Sequence, residues 1–224
     1  MTGVPRASGP GRLLSVVVWT VLLLALWLWG RELTDGGPPG GVPESGAPVA
    51  GRAGEGAAAL PGPAEPLAGA PAPRLVEIDA IGVRADIVER AVDASGGAEP
   101  PPFETPDVVG WDAGGPAPGA AGAAVLVGHV DTATEPAVFH ALGDVPPGSA
   151  VRVTRADGSV AEFTVSEVEV VEHGAFDAEH VYGPRRAGAA ELRLITCGGT
   201  FDHERRSYSA NVVVSAYLTR SAAA

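Results

Sequence analysis

The chain predicts an all-β domain, a barrel or a sandwich, over residues 74–220, and three observations carry that prediction. Seven or eight short runs rich in Val, Ile, Leu, Thr and Phe follow one another there. Clusters of Gly, Pro, Asp and Ser separate them, and almost no stretch shows a helical period of apolar residues. A segment of this length buries a sizeable core without help from disulfides, and with one cysteine the chain can form none internally.

Taken from the start, residues 1–12 carry Arg6 and Arg12 ahead of an uncharged apolar run at 13–29. At about 1.5 Å per residue that run is roughly 25 Å long, barely the thickness of a bilayer core. Trp27 and Trp29 close it like interfacial anchors. Residues 13–30 are therefore expected to be a single transmembrane helix, with the N-terminus cytoplasmic and everything after it outside. A cleaved signal peptide is the competing reading, but no small-x-small site follows Trp29. Residues 31–73 are dominated by Gly, Pro and Ala and read as a disordered tether. The 15 basic residues are all arginine, and the net charge of −12 argues against a nucleic-acid partner.

Within the domain, 75–79 and 83–88 are expected to pair around the turn at Ala80–Gly82. Residues 93–122 read as a long surface loop anchored by Trp111. The next buried strand is 123–129, and Pro136–Leu142 is expected to make one or two helical turns with Pro first. Ser149–Arg155 and Ser159–Glu172 form a hairpin around Ala156-Asp-Gly158. In its second arm the apolar phase slips from Phe163 and Val165 to Val168 and Val170, which predicts a bulge near Ser166-Glu167. Glu191–Cys197 alternates as a buried strand that Gly198 and Gly199 should stop. The last strand is Tyr208–Leu218, and residues 221–224 are a tail.

Three features stand at strand ends: His129, Cys197, and the pair Arg205-Arg206. A free thiol is only a few per cent ionised at neutral pH, so a cysteine nucleophile needs an imidazole or a cation beside it. Imidazole can then return a proton to a leaving amine, and a guanidinium suits the oxyanion of a tetrahedral intermediate. Together these groups cover acyl transfer through a thioester. The plain alternatives are a packed core thiol at Cys197 and a capped strand-end residue at His129. His140, His173, His180 and His203 receive no role, and Arg185-Arg186 reads as a solvated loop. Glu167, Glu169 and Glu172 alternate on what reads as an exposed face, and nothing selects them for calcium. His129-x-Asp131 lacks the partners of a closed metal site, and no cofactor is implied.

The stretches Leu126-Val-Gly-His-Val-Asp131, Pro136-Ala-Val-Phe139, Leu142-Gly-Asp-Val-Pro-Pro-Gly148 and Leu194-Ile-Thr-Cys-Gly-Gly199 resemble those of bacterial sortases, most of all the actinobacterial class F group. Tyr208-Ser-Ala-Asn-Val-Val-Val214 is similar to that group's last strand. The resemblance spans roughly 74–220, and an anchor followed by a tether is typical of the family. It implies a closed eight-stranded β-barrel with short helical turns, and a cysteine transpeptidase. Such an enzyme cleaves a Leu-Pro-x-Thr-Gly-like sorting signal on secreted proteins after Thr. It passes the acyl group to an amine of a peptidoglycan precursor, or to water. Carried over by position, His129 is the proton donor and acceptor and Cys197 the nucleophile. Class F commonly places its arginine where this chain has Ser209. The nine-residue spacing from Cys197 used by other sortase classes selects Arg206, with Arg205 in reserve. Two other functions stay open at this point. One is an L,D-transpeptidase of peptidoglycan, although Thr196 breaks its Ser-x-Gly-Cys pattern. The other is a tethered, non-catalytic surface-binding domain, for which the departure at Ser209 speaks.

Overall fold

The computed structural model describes residues 59–91 and 98–223. Eight strands make up the domain: β1 (Pro73–Ile78), β2 (Val83–Arg90), β3 (Val109–Asp112), β4 (Gly122–Val127), β5 (Ala150–Arg155), β6 (Val160–Glu172), β7 (Ala190–Asp202) and β8 (Ser207–Ala222). They close into a barrel in the order β1-β2-β3-β4-β7-β8-β6-β5, with β5 pairing back onto β1. All pairs are antiparallel except β2–β3 and β4–β7. A parallel pair needs a long connection, and between β4 and β7 the β5–β6 hairpin is part of it. The expected all-β barrel is what the chain forms, and among the described residues the helical content is one short helix and a few 3-10 turns.

Period-two alternation sorts each strand into two faces. Val76, Leu126, Val151, Phe163, Leu192, Leu194 and Val214 fill the barrel interior. On β7 the opposite parity places Arg193 and Ile195 on the outer wall. There Ile195 packs with Val125 and Val213 beneath Val181 of helix α1 (Ala178–Tyr182). That helix was not expected from the sequence. Asp177 caps it by accepting a hydrogen bond from the Glu179 amide at 3.0 Å.

The outer wall also holds a buried ion pair. Arg193 and Glu191 are 1% and 4% exposed, and the Arg193 Nη2 donates to Glu191 Oε2 at 2.6 Å. The same carboxylate accepts the backbone N–H groups of Arg185 and Arg186 at 3.0 and 2.9 Å, so it pins the loop after α1. Arg185 is not the solvated side chain the sequence suggests: its guanidinium pairs with Glu167 and with Glu169, which His180 also meets at 3.1 Å.

The β5–β6 turn forms at Ala156-Asp-Gly158, with Gly158 at φ +82° and its N–H on the Arg155 carbonyl at 3.0 Å. The predicted slip in β6 is present: the register against β8 shifts between Val165 and Glu167. Trp111 anchors its loop as expected, 7% exposed and donating from Nε1 to the Pro116 carbonyl at 3.2 Å. Four residues of that loop form β3, which is too short to show a period.

Two expectations are corrected. Gly198 and Gly199 do not stop β7. Gly199 takes φ +76° and makes a bulge, and the ladder with β8 resumes at Phe201–Tyr208. A Cβ at residue 199 would meet Ser209 Oγ at 2.4 Å, so the approach of the two strands requires glycine there. Pro136–Leu142 is not a run of α-helix. Pro136 bridges to Asp131, and the N–H groups of Ala137 and Phe139 bond back to the Val130 and His129 carbonyls. Those donors are then unavailable to a helix, and only tight turns and a 3-10 turn at Leu142–Asp144 follow.

The transmembrane segment expected at 13–30, and most of the tether, lie outside the described residues. Among the described residues no helix is long and apolar enough to cross a membrane. The end of the stretch read as tether, residues 59–72, is laid on the barrel as an extended strap. The Ala64 N–H donates to the Leu218 carbonyl and the Leu67 N–H to the Gly119 carbonyl, both at 2.8 Å, while Tyr217 donates its hydroxyl to the Pro61 carbonyl at 2.7 Å. Leu67 packs against the core, an anchor hidden among prolines and alanines in the sequence.

Candidate active site

Three adjacent strands, β4, β7 and β8, build the site. Val127 of β4 stands beside Ile195 of β7, and the Gly128 N–H still donates to the Ile195 carbonyl at 3.1 Å. His129 comes two residues after Val127 and Cys197 two residues after Ile195, so both lie just beyond the last β4–β7 pair. On the other side Cys197 pairs with Asn211 of β8. The thiol and amide positions are thus direct neighbours on the outer wall, and the imidazole lies two residues past the end of the adjoining strand. Cys197 shares its parity with Ile195, so the apolar floor of Val125, Ile195 and Val213 runs up to the thiol.

His129 is 7% exposed and held on both sides. Its Nε2 lies 2.7 Å from the Pro101 carbonyl oxygen, which can only accept, so Nε2 donates this bond. The Phe103 ring stacks on the imidazole at 4.1 Å between centroids and 20° between planes. Behind it, Gly128 gives the buried Phe139 ring its place: a Cβ there would lie 2.6 Å from Phe139 Cδ2.

Asp131, two residues past the histidine, accepts a hydrogen bond from the Tyr208 hydroxyl. The carboxylate, with some desolvation, pushes the Tyr208 phenol up to about 12. The Cys197 residue is exposed, yet the protein packed around its sulfur pushes the thiol pKa up, and the Asp131 charge adds to this.

Of the four residues the sequence singled out, His129 follows the end of β4 and Cys197 lies on the neighbouring β7. Arg205 and Arg206 instead occupy the turn at the tip of the β7–β8 hairpin, beyond the Asp202–Ser207 pair. Arg206 has φ +51°, and Arg205 Nε lies 3.8 Å from Asp202 Oδ2. From Cys197 to Asp202 is five strand positions, about 16 Å at about 3.3 Å each. Ser209 accepts the Thr200 N–H at 3.0 Å within the bulge. Sequence reasoning missed the Asp131–Tyr208 contact, the covering segment at Pro101–Phe103, and Asn211. Only Asn211 left a signal, as a polar residue opening a run of valines. Among the described residues, no three His, Cys, Asp or Glu side chains gather as a metal-ligand set.

The wall of this eight-stranded barrel thus carries a thiol on β7 and an imidazole just past the end of the neighbouring β4. Residues 76–219 match the family model described as the sortase domain, and the chain belongs to the sortase family of cysteine transpeptidases. Among solved structures it is similar to sortase C-1 from Actinomyces oris, at 20% identity and TM-score 0.50, over 65% of this chain and 73% of that one. It is equally similar to a lid mutant of sortase A from Corynebacterium diphtheriae: 20% identity, TM-score 0.50, 68% of this chain and 73% of that one. A mutant of sortase C-1 from S. pneumoniae gives 20% identity and TM-score 0.52, over 67% and 68%. At such identities these likenesses speak for the fold alone. No curated protein matches the chain.

Proposed function

We propose that the domain is a class F-like sortase that cleaves a Leu-Pro-x-Thr-Gly-like sorting signal between Thr and Gly. The observation that supports this is the parallel pairing of β4 with β7, which ends two residues before His129 on one strand and two before Cys197 on the other. The Cys197 thiol passes its proton to the His129 imidazole as the sulfur attacks the Thr carbonyl carbon, and the C–N bond breaks. The protonated His129 gives its proton to the departing Gly amine, leaving a thioester. An amine of a peptidoglycan precursor, deprotonated by the same imidazole, then attacks the thioester carbon. The C–S bond breaks and the thiolate returns; water in place of the amine gives hydrolysis. In this scheme Arg206, or Arg205 in reserve, would have to reach back along the hairpin to meet the oxyanion. The thiol's raised pKa and the Nε2 bond to Pro101 describe a resting state, which substrate must open before Nε2 can reach the leaving amine. The same proposal includes the anchor at 13–30 and the tether from 31, which together hold the domain outside the cell membrane, where secreted substrates and cell-wall amines are found.

The test is mass spectrometry of the full chain incubated with a small library of sorting peptides and amines. A covalent adduct on Cys197, a cut after Thr and a new amide to the amine are the expected products. Cleavage that persists in Cys197→Ala overturns the proposal.

A further inference from the structure

We propose that the donor to the oxyanion is the side-chain amide of Asn211, and not a guanidinium. This rests on Cys197 being the nucleophile. Asn211 is the direct antiparallel partner of Cys197, so both side chains leave the same face with Cβ atoms about 4.5–5.5 Å apart. An acyl group on the sulfur therefore has the amide on its β8 side and the imidazole on its β4 side.

Asn211 is half-buried, and its side chain makes no hydrogen bond among the described residues. Such an amide is out of place at the head of Val212-Val213-Val214, because asparagine is depleted in strands. An amide with free N–H groups is what a developing oxyanion needs.

The other donors near the sulfur are engaged or misplaced. The Tyr208 hydroxyl is given to Asp131. Thr196 is buried, and its parity turns it to the opposite face of β7. Ser209 lies against the bulge, accepting the Thr200 N–H. Both arginines of the hairpin sit at its tip, Arg205 beside Asp202. Asp131 sits close enough to the sulfur to raise its pKa, so an oxyanion forms next to a carboxylate. A side-chain donor on the β8 side of the thiol gives that charge a hydrogen to meet.

The test compares two reactions of the same sulfur in the full chain. Acylation by a cleavable sorting peptide builds an oxyanion, whereas alkylation by iodoacetamide is a displacement that builds none. Asn211→Ala and the near-isosteric Asn211→Leu are expected to lower acylation kcat/KM by about 100-fold. Both should leave the alkylation rate within twofold. The double variant Arg205→Ala/Arg206→Ala is expected to lose far less acylation than Asn211→Leu. Equal losses in both reactions would make Asn211 a support of the thiol or of the fold, and no loss would give it no part; either result overturns the inference. So would a 100-fold loss in the arginine double variant. Peptide cleavage by Cys197→Ala would instead remove the nucleophile assignment itself, a different failure.

Discussion

Replacing Glu191 with Gln removes one charge from the buried pair on the outer wall while keeping the side chain's shape. The carboxylate receives three hydrogen bonds, one from Arg193 and two from the Arg185 and Arg186 amides. A glutamine offers one acceptor oxygen and turns an NH2 towards donors, and it leaves the 1%-exposed Arg193 without a counter-charge. Breaking a buried pair from one side costs about 3–5 kcal/mol, and the retained oxygen places this change near the lower end, about 3 kcal/mol. For a domain of this size each kcal/mol moves Tm by about 2–4 °C, so thermal denaturation at pH 7 should show a fall of about 6–12 °C. The pH dependence has a definite sign. Burial alone would raise the carboxyl pKa, but the Arg185 amide, the Arg193 guanidinium and the Arg186 amide outweigh it and hold it below the ordinary 4.5. The stabilisation is thus complete above about pH 4.5 and is lost as pH falls through the lower folded value. The gap in Tm between wild type and Glu191→Gln should narrow as the pH drops below that point. A fall of less than about 2 °C at pH 7 would refute the reasoning, since it would mean that water, not Arg193, balances the carboxylate.

Three other outcomes are expected. Gly128→Ala forces the Phe139 ring aside in a filled interior and should cost about 1–3 kcal/mol, read as a lower denaturation midpoint; an unchanged midpoint would mean that the ring relaxes freely. Phe103→Ala removes a ring contact with His129 worth about 0.5–1.5 kcal/mol, so acylation of Cys197 should quicken, at most about tenfold. A slower reaction would show that Phe103 positions the imidazole instead of covering it. Asp131→Asn takes away the charge that holds the thiol up, so the pH midpoint for iodoacetamide alkylation of Cys197 should move down. A midpoint that stays or rises would leave desolvation as the whole cause.

The barrel was legible because alternation and turn chemistry are local. The slip at Ser166-Glu167 shows in the phase of the apolar residues alone, and the Asp-Gly turn names its own hairpin. His129 and Cys197 stood out through the motifs around them. What stayed hidden depends on tertiary pairing. The capacity of Gly199 to bulge, and not to break the strand, is decided by Ser209 and Ala210 across the hairpin. Nine residues from Cys197 to Arg206 look like reach when counted along the chain. Once β7 continues through the bulge, the same nine residues carry the arginine out to the tip. Pro101 and Phe103 carry no signal of their own, because their meaning lies in the ring they cover.

The strap has a mechanical consequence. Its fastenings at Pro61 and Ala64 grip Tyr217 and Leu218, six and seven residues along β8 from Asn211, or about 20–23 Å at about 3.3 Å each. Tension arriving through the preceding chain is therefore taken up at the remote end of that strand, by a hydroxyl, a backbone amide and the seated Leu67. The thiol, imidazole and amide can keep their spacing while the leader is tugged, as a chisel keeps its edge when the handle is gripped.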